Sequence, residues 1–178
     1  MTIVHDFDES LRKSHEQADA PWWEEVYRQA FPTMTGMRDV RKDGHAQRGG
    51  VDRFVDLRDG TSLKIDEKVR FQVYSDIFIE YYSNLERKTP GWAVNEDLST
   101  DFIAYAFVPS GECYLFPYQI LRRCAKDHWN EWFERFGKRE VPNRLPNGSS
   151  YTTVGIPVPT GVLLDAVRDA MFIKFNPE

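Results

Sequence analysis

Apolar positions along this chain recur mostly at a period of two, in short runs broken by Gly, Pro and Asp, which predicts a strand-rich middle. Helical spacing is confined to three stretches. Residues 6–31 carry an apolar stripe of Leu11, Trp22, Trp23, Val26, Tyr27 and Phe31, with Asp6 or Asp8 as the cap. Pro21 either breaks that run or opens a second helix at its first turn. Residues 32–50 are polar and hold Gly36, Gly44, Gly49 and Gly50, so they read mainly as loop.

The alternation then begins. Residues 51–57 predict a strand, Arg58-Asp59-Gly60 a hairpin turn and 62–71 the next strand. Residues 76–82 form a third run, nearly continuous in apolar residues, as in a strand covered on both faces. A second hairpin follows, with strands 102–108 and 113–116 about Pro109-Ser110-Gly111. Helical spacing returns over 117–136, where Ile120, Leu121, Cys124, Trp129, Trp132 and Phe133 would face inward. Residues 142–148 read as loop and 152–158 as a short strand or extended arm. Pro159-Thr160 opens a last helix over about 161–173. No internal repeat, low-complexity tract or linker interrupts the chain. The class is α/β or α+β, a central mixed sheet flanked by helices in one domain over 1–178.

Composition narrows the picture little. Hydrophobic residues make up 41% of the 178 positions and aromatics 14%, which marks a globular chain with a real core. The apolar runs are strand-sized and none approaches a membrane span. The first ten residues carry acids and lack a signal peptide's basic and apolar regions. Cys113 and Cys124 are read as free thiols of a reducing cytoplasm. A net charge of −5 argues against a protein that coats nucleic acid, but not against an enzyme that acts on it.

The candidate chemistry lies on the strand over 62–71. Leu63, Ile65, Val69 and Phe71 face one way; Lys64, Asp66, Lys68 and Arg70 face the other. A half-buried strand with a solvated charged face would show the same alternation. Glu67, however, falls on the apolar side, where a lone carboxylate costs several kcal/mol unless paired, neutralised or bound to metal. Glu80 repeats the anomaly inside Ile77-Phe78-Ile79-Glu80-Tyr81-Tyr82. Either a tyrosine hydrogen bond or an ion pair to a lysine such as Lys68 satisfies it, or it serves a site. Asp52 adds a carboxylate on the preceding strand. Two carboxylates and a lysine on paired strands are the parts that hold Mg²⁺ and direct a water at a phosphodiester. In that scheme Asp52 and Asp66 bind metal, and Lys68 stabilises developing charge or helps deprotonate the water.

These residues resemble the PD-(D/E)XK nuclease superfamily, the restriction-endonuclease-like fold. Asp52 and the triplet Asp66-Glu67-Lys68 stand across a Gly-bearing hairpin. Gln47-Arg48-Gly49-Gly50-Val51-Asp52, Phe78-Ile79-Glu80-Tyr81, Gly91-Trp92 and Thr100-Asp101-Phe102-Ile103-Ala104-Tyr105 keep the order of small phage and mobile-element members. The likeness spans about 45–123. It implies an αβββαβ core, Mg²⁺ or Mn²⁺ as cofactor, DNA as partner, and Gln47 and Glu80 as further site members. It also implies a glutamate on the first helix, a place that Glu16, Glu24 or Glu25 would fill. Val51 stands where the family name has Pro, and Glu67 offers a second acid one residue off the usual position, so either Asp66 or Glu67 is the second ligand. Nucleases of this fold often pair to cut both strands, which allows a homodimer. The alternative is a module of this fold without catalysis that binds a protein partner or nucleic acid, including a phage-encoded inhibitor.

Other constellations point elsewhere less well. His5, His15, His45 and His128 lack zinc-like spacing with the cysteines, and no Walker loop, dinucleotide fingerprint or nucleophile motif stands out. The basic residues Arg38, Arg41, Lys42 and Arg48 precede the site and suit a phosphate backbone better than those of 117–140, which acids dilute.

Overall fold

The period-2 runs do become strands, but they are shared between two sheets. The computed structural model describes residues 5–6, 19–145 and 147–177. The chain forms two compact units. One takes in Ser75–Glu96 and Leu121–Ala166 with the strand β1 (His5–Asp6); the other takes in 19–74, Asp97–Ile120 and 167–177. Both mix α and β structure. Among the described residues no helix is long and apolar enough to cross a membrane.

The unit that carries Asp66 opens with helix α1 (Trp22–Ala30), and Pro21 stands at its cap with helical φ and ψ. The predicted helix over 6–31 is thus confirmed only over α1: Asp6 lies in a strand, and Asp8, Leu11, His15 and Glu16 lie outside the described residues. The segment predicted as loop, 32–50, holds β2 (Met34–Asp39) and α2 (Gly44–Arg48). β2 was hidden because only Met34 of its six residues is buried, so its alternation is weak. α2 has a readable cap: the Asp43 carboxylate accepts from the backbone N–H of His45 and Ala46.

Strands β3 (Arg53–Leu57) and β4 (Ser62–Arg70) form the predicted antiparallel hairpin, with Arg53 opposite Ile65 and Val55 opposite Leu63. β5 (Asp76–Asn84) and the short β6 (Thr89–Pro90) follow in the other unit. β7 (Phe102–Phe107) then pairs parallel with β4 and antiparallel with β8 (Glu112–Pro117). The chain enters α3 (Tyr118–Asp127), turns at His128 into α4 (Trp129–Phe136), and continues through β9 (Arg139–Arg144) and β10 (Ser150–Pro159). It ends with α5 (Thr160–Ala166) and β11 (Met171–Lys174). Three expectations change here. The helix over 117–136 is two helices, the loop over 142–148 begins as β9, and the last helix stops at Ala166 before a strand. In β11 the alternation is four residues long, with Met171 and Ile173 half-buried and Phe172 exposed, too short to outweigh the helical reading.

The six-stranded sheet runs β11-β8-β7-β4-β3-β2 and the five-stranded sheet β1-β9-β10-β5-β6. The expected single central sheet is therefore corrected: β5 pairs with β10 and does not join β4. In the six-stranded sheet, α1 covers one face. Trp22, Trp23, Val26 and Tyr27 pack there with Val55, Ile65, Ala104, Ala106, Cys113, Leu115 and Phe175. Burying an aliphatic or aromatic side chain of this kind stabilises by roughly 1.5–3 kcal/mol.

The turn between β7 and β8 ends on Gly111 at φ +60°, and a Cβ there would lie 2.2 Å from the Phe175 carbonyl oxygen. The Gly111 carbonyl also accepts from the Phe175 N–H. Gly111→Ala should lower stability by about 2 kcal/mol or more, from the left-handed backbone and the clash together. Urea unfolding tests this; a midpoint equal to wild type would contradict it.

Candidate functional site

Because side chains alternate along β4, its two faces carry two different charge clusters. On the α1 face, Glu67 is fully buried yet charged. Arg53 Nε donates to its Oε1 at 2.6 Å, Tyr27 Oη donates to the same oxygen at 2.5 Å, and Arg41 pairs with Oε2. Arg41 reaches on to Asp39, and its Nε lies 3.7 Å from Asp52 Oδ1. Burial works to lower the Arg41 guanidinium, but Glu67, Asp52 and Asp39 outweigh it and hold it above its ordinary value. For Arg53, burial is likewise overcome by Glu67. Burial and the Glu67 charge push the Tyr27 phenol up, so it remains a donor.

On the opposite face stand Lys64, Asp66, Lys68 and Arg70. Asp66 is buried, its side chain 5% exposed, and Lys68 Nζ donates to its Oδ1 at 2.6 Å. Lys68 is 27% exposed, so it joins the buried acid to the surface. Asp52 precedes β3 and is fixed from both sides: its N–H donates to the Ile65 carbonyl and its carbonyl accepts from Val40. Its Oδ2 accepts from the Glu67 N–H at 2.9 Å. This places the Asp52 and Asp66 carboxylates beside each other. Burial, opposed by Lys68 and reinforced by Asp52, raises Asp66 to about 6. A buried carboxyl group set beside a partly exposed carboxylate is an arrangement that a hard cation relieves.

The hairpin thus brings together Asp52, Asp66 and Lys68. Gln47 is exposed on α2, whose backbone is tied toward Asp52 by a hydrogen bond from Val51 N–H to the Ala46 carbonyl. Glu67 turns away from Asp66, and its carboxylate is engaged by two guanidinium groups and a phenol. Glu80 stands on β5 in the other unit, where Oε1 accepts from the Trp92 N–H at 3.4 Å. Glu24 and Glu25 lie on the outer side of α1, bonded to Arg28 and Gln29, and it is Tyr27 of α1 that hydrogen-bonds to an acid of β4. Arg38 is paired with Asp56 but stays exposed at the surface, whereas Arg41 is only 14% exposed and tied to Asp39 and Glu67, so it is not an open phosphate contact.

The described residues hold no cluster of three or more His, Cys, Asp or Glu side chains fit for a metal. A cation would therefore rest on the Asp52–Asp66 pair, as Mg²⁺ does when waters and phosphate oxygens complete its shell. On donor chemistry the pair fits such an ion. Reasoning from sequence missed the roles of Tyr27, Arg53 and Arg41. A signal existed: Arg53 and Glu67 are opposite charges at apolar-side positions of two hairpin strands, which is where a buried pair forms. Compared with protein-family models, with curated proteins and with solved structures, the chain matches none.

Two predictions follow from these clusters. Removing the Glu67 charge takes from Arg53, which is 4% exposed, the carboxylate it meets at 2.6 Å, while Asp39 stands farther off at 3.8 Å. Glu67→Gln should cost about 3 kcal/mol in urea unfolding, and an unchanged midpoint would contradict the buried cluster. Asp66 carries the opposite sign. Held above its unfolded value, it keeps a proton in the folded chain between about pH 4 and 6 that the unfolded chain has released. Stability contributed by Asp66 is therefore greatest at the acid end and declines as pH rises through about 6. The stability of wild type minus that of Asp66→Asn should fall by up to about 3 kcal/mol across this window. A difference independent of pH would show that Asp66 is not held in this way.

Proposed function

We propose that this chain is a metal-dependent nuclease that hydrolyses phosphodiester bonds in DNA, with Asp52 and Asp66 as the cation's carboxylates and Lys68 beside them. The observation that carries this reading is the buried, Lys68-capped Asp66 set against Asp52 across the β3–β4 hairpin. Its likeness to the PD-(D/E)XK pattern supports the same reading. Bound Mg²⁺ or Mn²⁺ supplies neutralisation of phosphate charge and lowers the pKa of water.

The chain's own residues have distinct tasks in this scheme. Asp52 is held still by the Glu67 N–H and by its own backbone bonds, so its carboxylate needs little reordering on binding. Asp66 has Lys68 Nζ at 2.6 Å as its counter-charge, and a hard ion bound there would take over that role. Lys68 is anchored at one end by Asp66 and is open to solvent, so it can hold its proton next to negative charge that grows on the phosphate or the leaving oxygen. The buried Glu67 cluster acts behind them and keeps β3, β4 and α1 in register.

Asp66→Ala and Lys68→Ala should each abolish cleavage of duplex and single-stranded DNA in Mg²⁺ or Mn²⁺. Both should keep near-wild-type circular dichroism, because neither belongs to the Glu67 cluster. If both variants cut as well as wild type, the assignment is wrong. A folded wild-type chain that neither cuts nor binds Mn²⁺ at Asp66 would instead support a binding module without catalysis.

A further inference from the structure

Beyond Lys68 on the same face of β4 stands Arg70, a half-buried guanidinium without an acidic partner among the described residues. Its Nε donates to Tyr105 Oη at 2.6 Å, and its guanidinium lies over the Tyr105 ring, 5.0 Å from the centroid. Tyr105 is itself 1% exposed and sits in register opposite Lys68 on β7. Four other basic residues of this unit are paired with acids. Arg38 has Asp56, Arg41 has Asp39 and Glu67, Arg53 has Glu67, and Lys68 has Asp66. A half-buried arginine that is fixed by a ring and a phenol, with no carboxylate partner among the described residues, is set up for an anion that comes from outside.

We propose that Arg70 is a substrate-binding residue that takes a backbone phosphate of nucleic acid next to the one presented at Asp66 and Lys68. This rests on the nuclease reading. Residues two apart on a strand are separated by about 6.7 Å, so Lys68 and Arg70 present two cations in file. That file suits neighbouring phosphates of one extended strand. With Nε occupied by Tyr105, the two terminal nitrogens form the donating edge, which matches a pair of phosphate oxygens. A phosphate contact of this kind carries no base preference. The Arg70 site therefore takes the strand by its charge and spacing, and the tyrosine behind it supplies orientation without touching the substrate.

The test is fluorescence anisotropy with a labelled oligothymidine and a labelled mixed-sequence strand, in an Asp66→Asn background that prevents cutting. Adding Arg70→Gln should weaken binding of both strands to a similar extent, about tenfold at low salt, and reduce the slope of log affinity against log salt by about one. Arg70→Lys should recover part of the loss, since it keeps the charge and loses the fork. Tyr105→Phe, which keeps the ring and removes the hydroxyl, should give a smaller loss with the salt slope unchanged. Inorganic phosphate should compete only weakly, because a single anion engages one of the two cations; equal competition by phosphate and by the strand would assign the site to free phosphate and overturn the proposal. Unchanged affinity and slope in Arg70→Gln, or a parent protein that binds neither strand, would overturn it too. Mn²⁺ titration of the wild-type side chains separates the two ideas. Strands held through Arg70 with no metal binding and no cleavage would remove hydrolysis alone, whereas metal binding and cleavage with Arg70→Gln indifferent would remove this inference alone.

Discussion

A buried carboxylate shared by two arginines and a tyrosine is the constraint on which this half of the chain turns. Glu67 lies on the face of β4 that should be apolar, and burying it alone would cost several kcal/mol. Arg53 from β3, Arg41 from beyond β2 and Tyr27 from α1 meet that cost together. Three separate segments are thereby bound to one side chain. A slip of the hairpin register by one residue would turn Glu67 outward and Asp66 inward, leaving charges without partners on both faces. The cluster is weak as a source of stability compared with a hydrophobic packing of equal volume, but it specifies one register strongly.

What the register fixes is the other face. With Glu67 tied down, its N–H holds Asp52, and Asp66, Lys68 and Arg70 stand in a row opposite. The parallel pairing of β4 with β7 puts Tyr105 beside Lys68, where it also anchors Arg70. The face therefore passes from the carboxylates of Asp52 and Asp66, through a lysine that reaches solvent, to an arginine with no acidic partner among the described residues. That gradient is the basis for proposing a cation at one end and a polyanion along the rest. The chain's net charge of −5 is a sum over the whole sequence that ion pairing leaves unchanged, and the row of Lys68 and Arg70 is a local feature within it.

Much of this could be read from the sequence, and the failures have physical reasons. The β3–β4 hairpin was legible because Arg58-Asp59-Gly60 punctuates two alternating runs, and the second hairpin because Pro109-Ser110-Gly111 does the same. The opposition of Asp66 and Lys68 to Ile65 and Glu67 followed from strand geometry alone. What was not legible was partner choice. Nothing in 76–82 tells whether β5 joins β4 or a distant strand, and it pairs with β10, more than seventy residues later. β2 and β11 escaped because half-polar edge strands of four to six residues give little alternation to read. At the site, Asp52, Asp66 and Lys68 converge as expected, while Glu80 belongs to the other unit and Glu67 to the buried cluster. Arg41 looked like a loop cation because the loop around it concealed both a strand and a short helix.

The central claim is that Asp52 and Asp66 together hold a hard cation. Anomalous diffraction from crystals soaked in Mn²⁺ tests it most directly. The account predicts one strong peak within bonding distance of both carboxylates, with Lys68 Nζ withdrawn from Asp66 Oδ1. Density that leaves the Lys68–Asp66 pair closed at 2.6 Å, with manganese bound at other residues or nowhere, would contradict it.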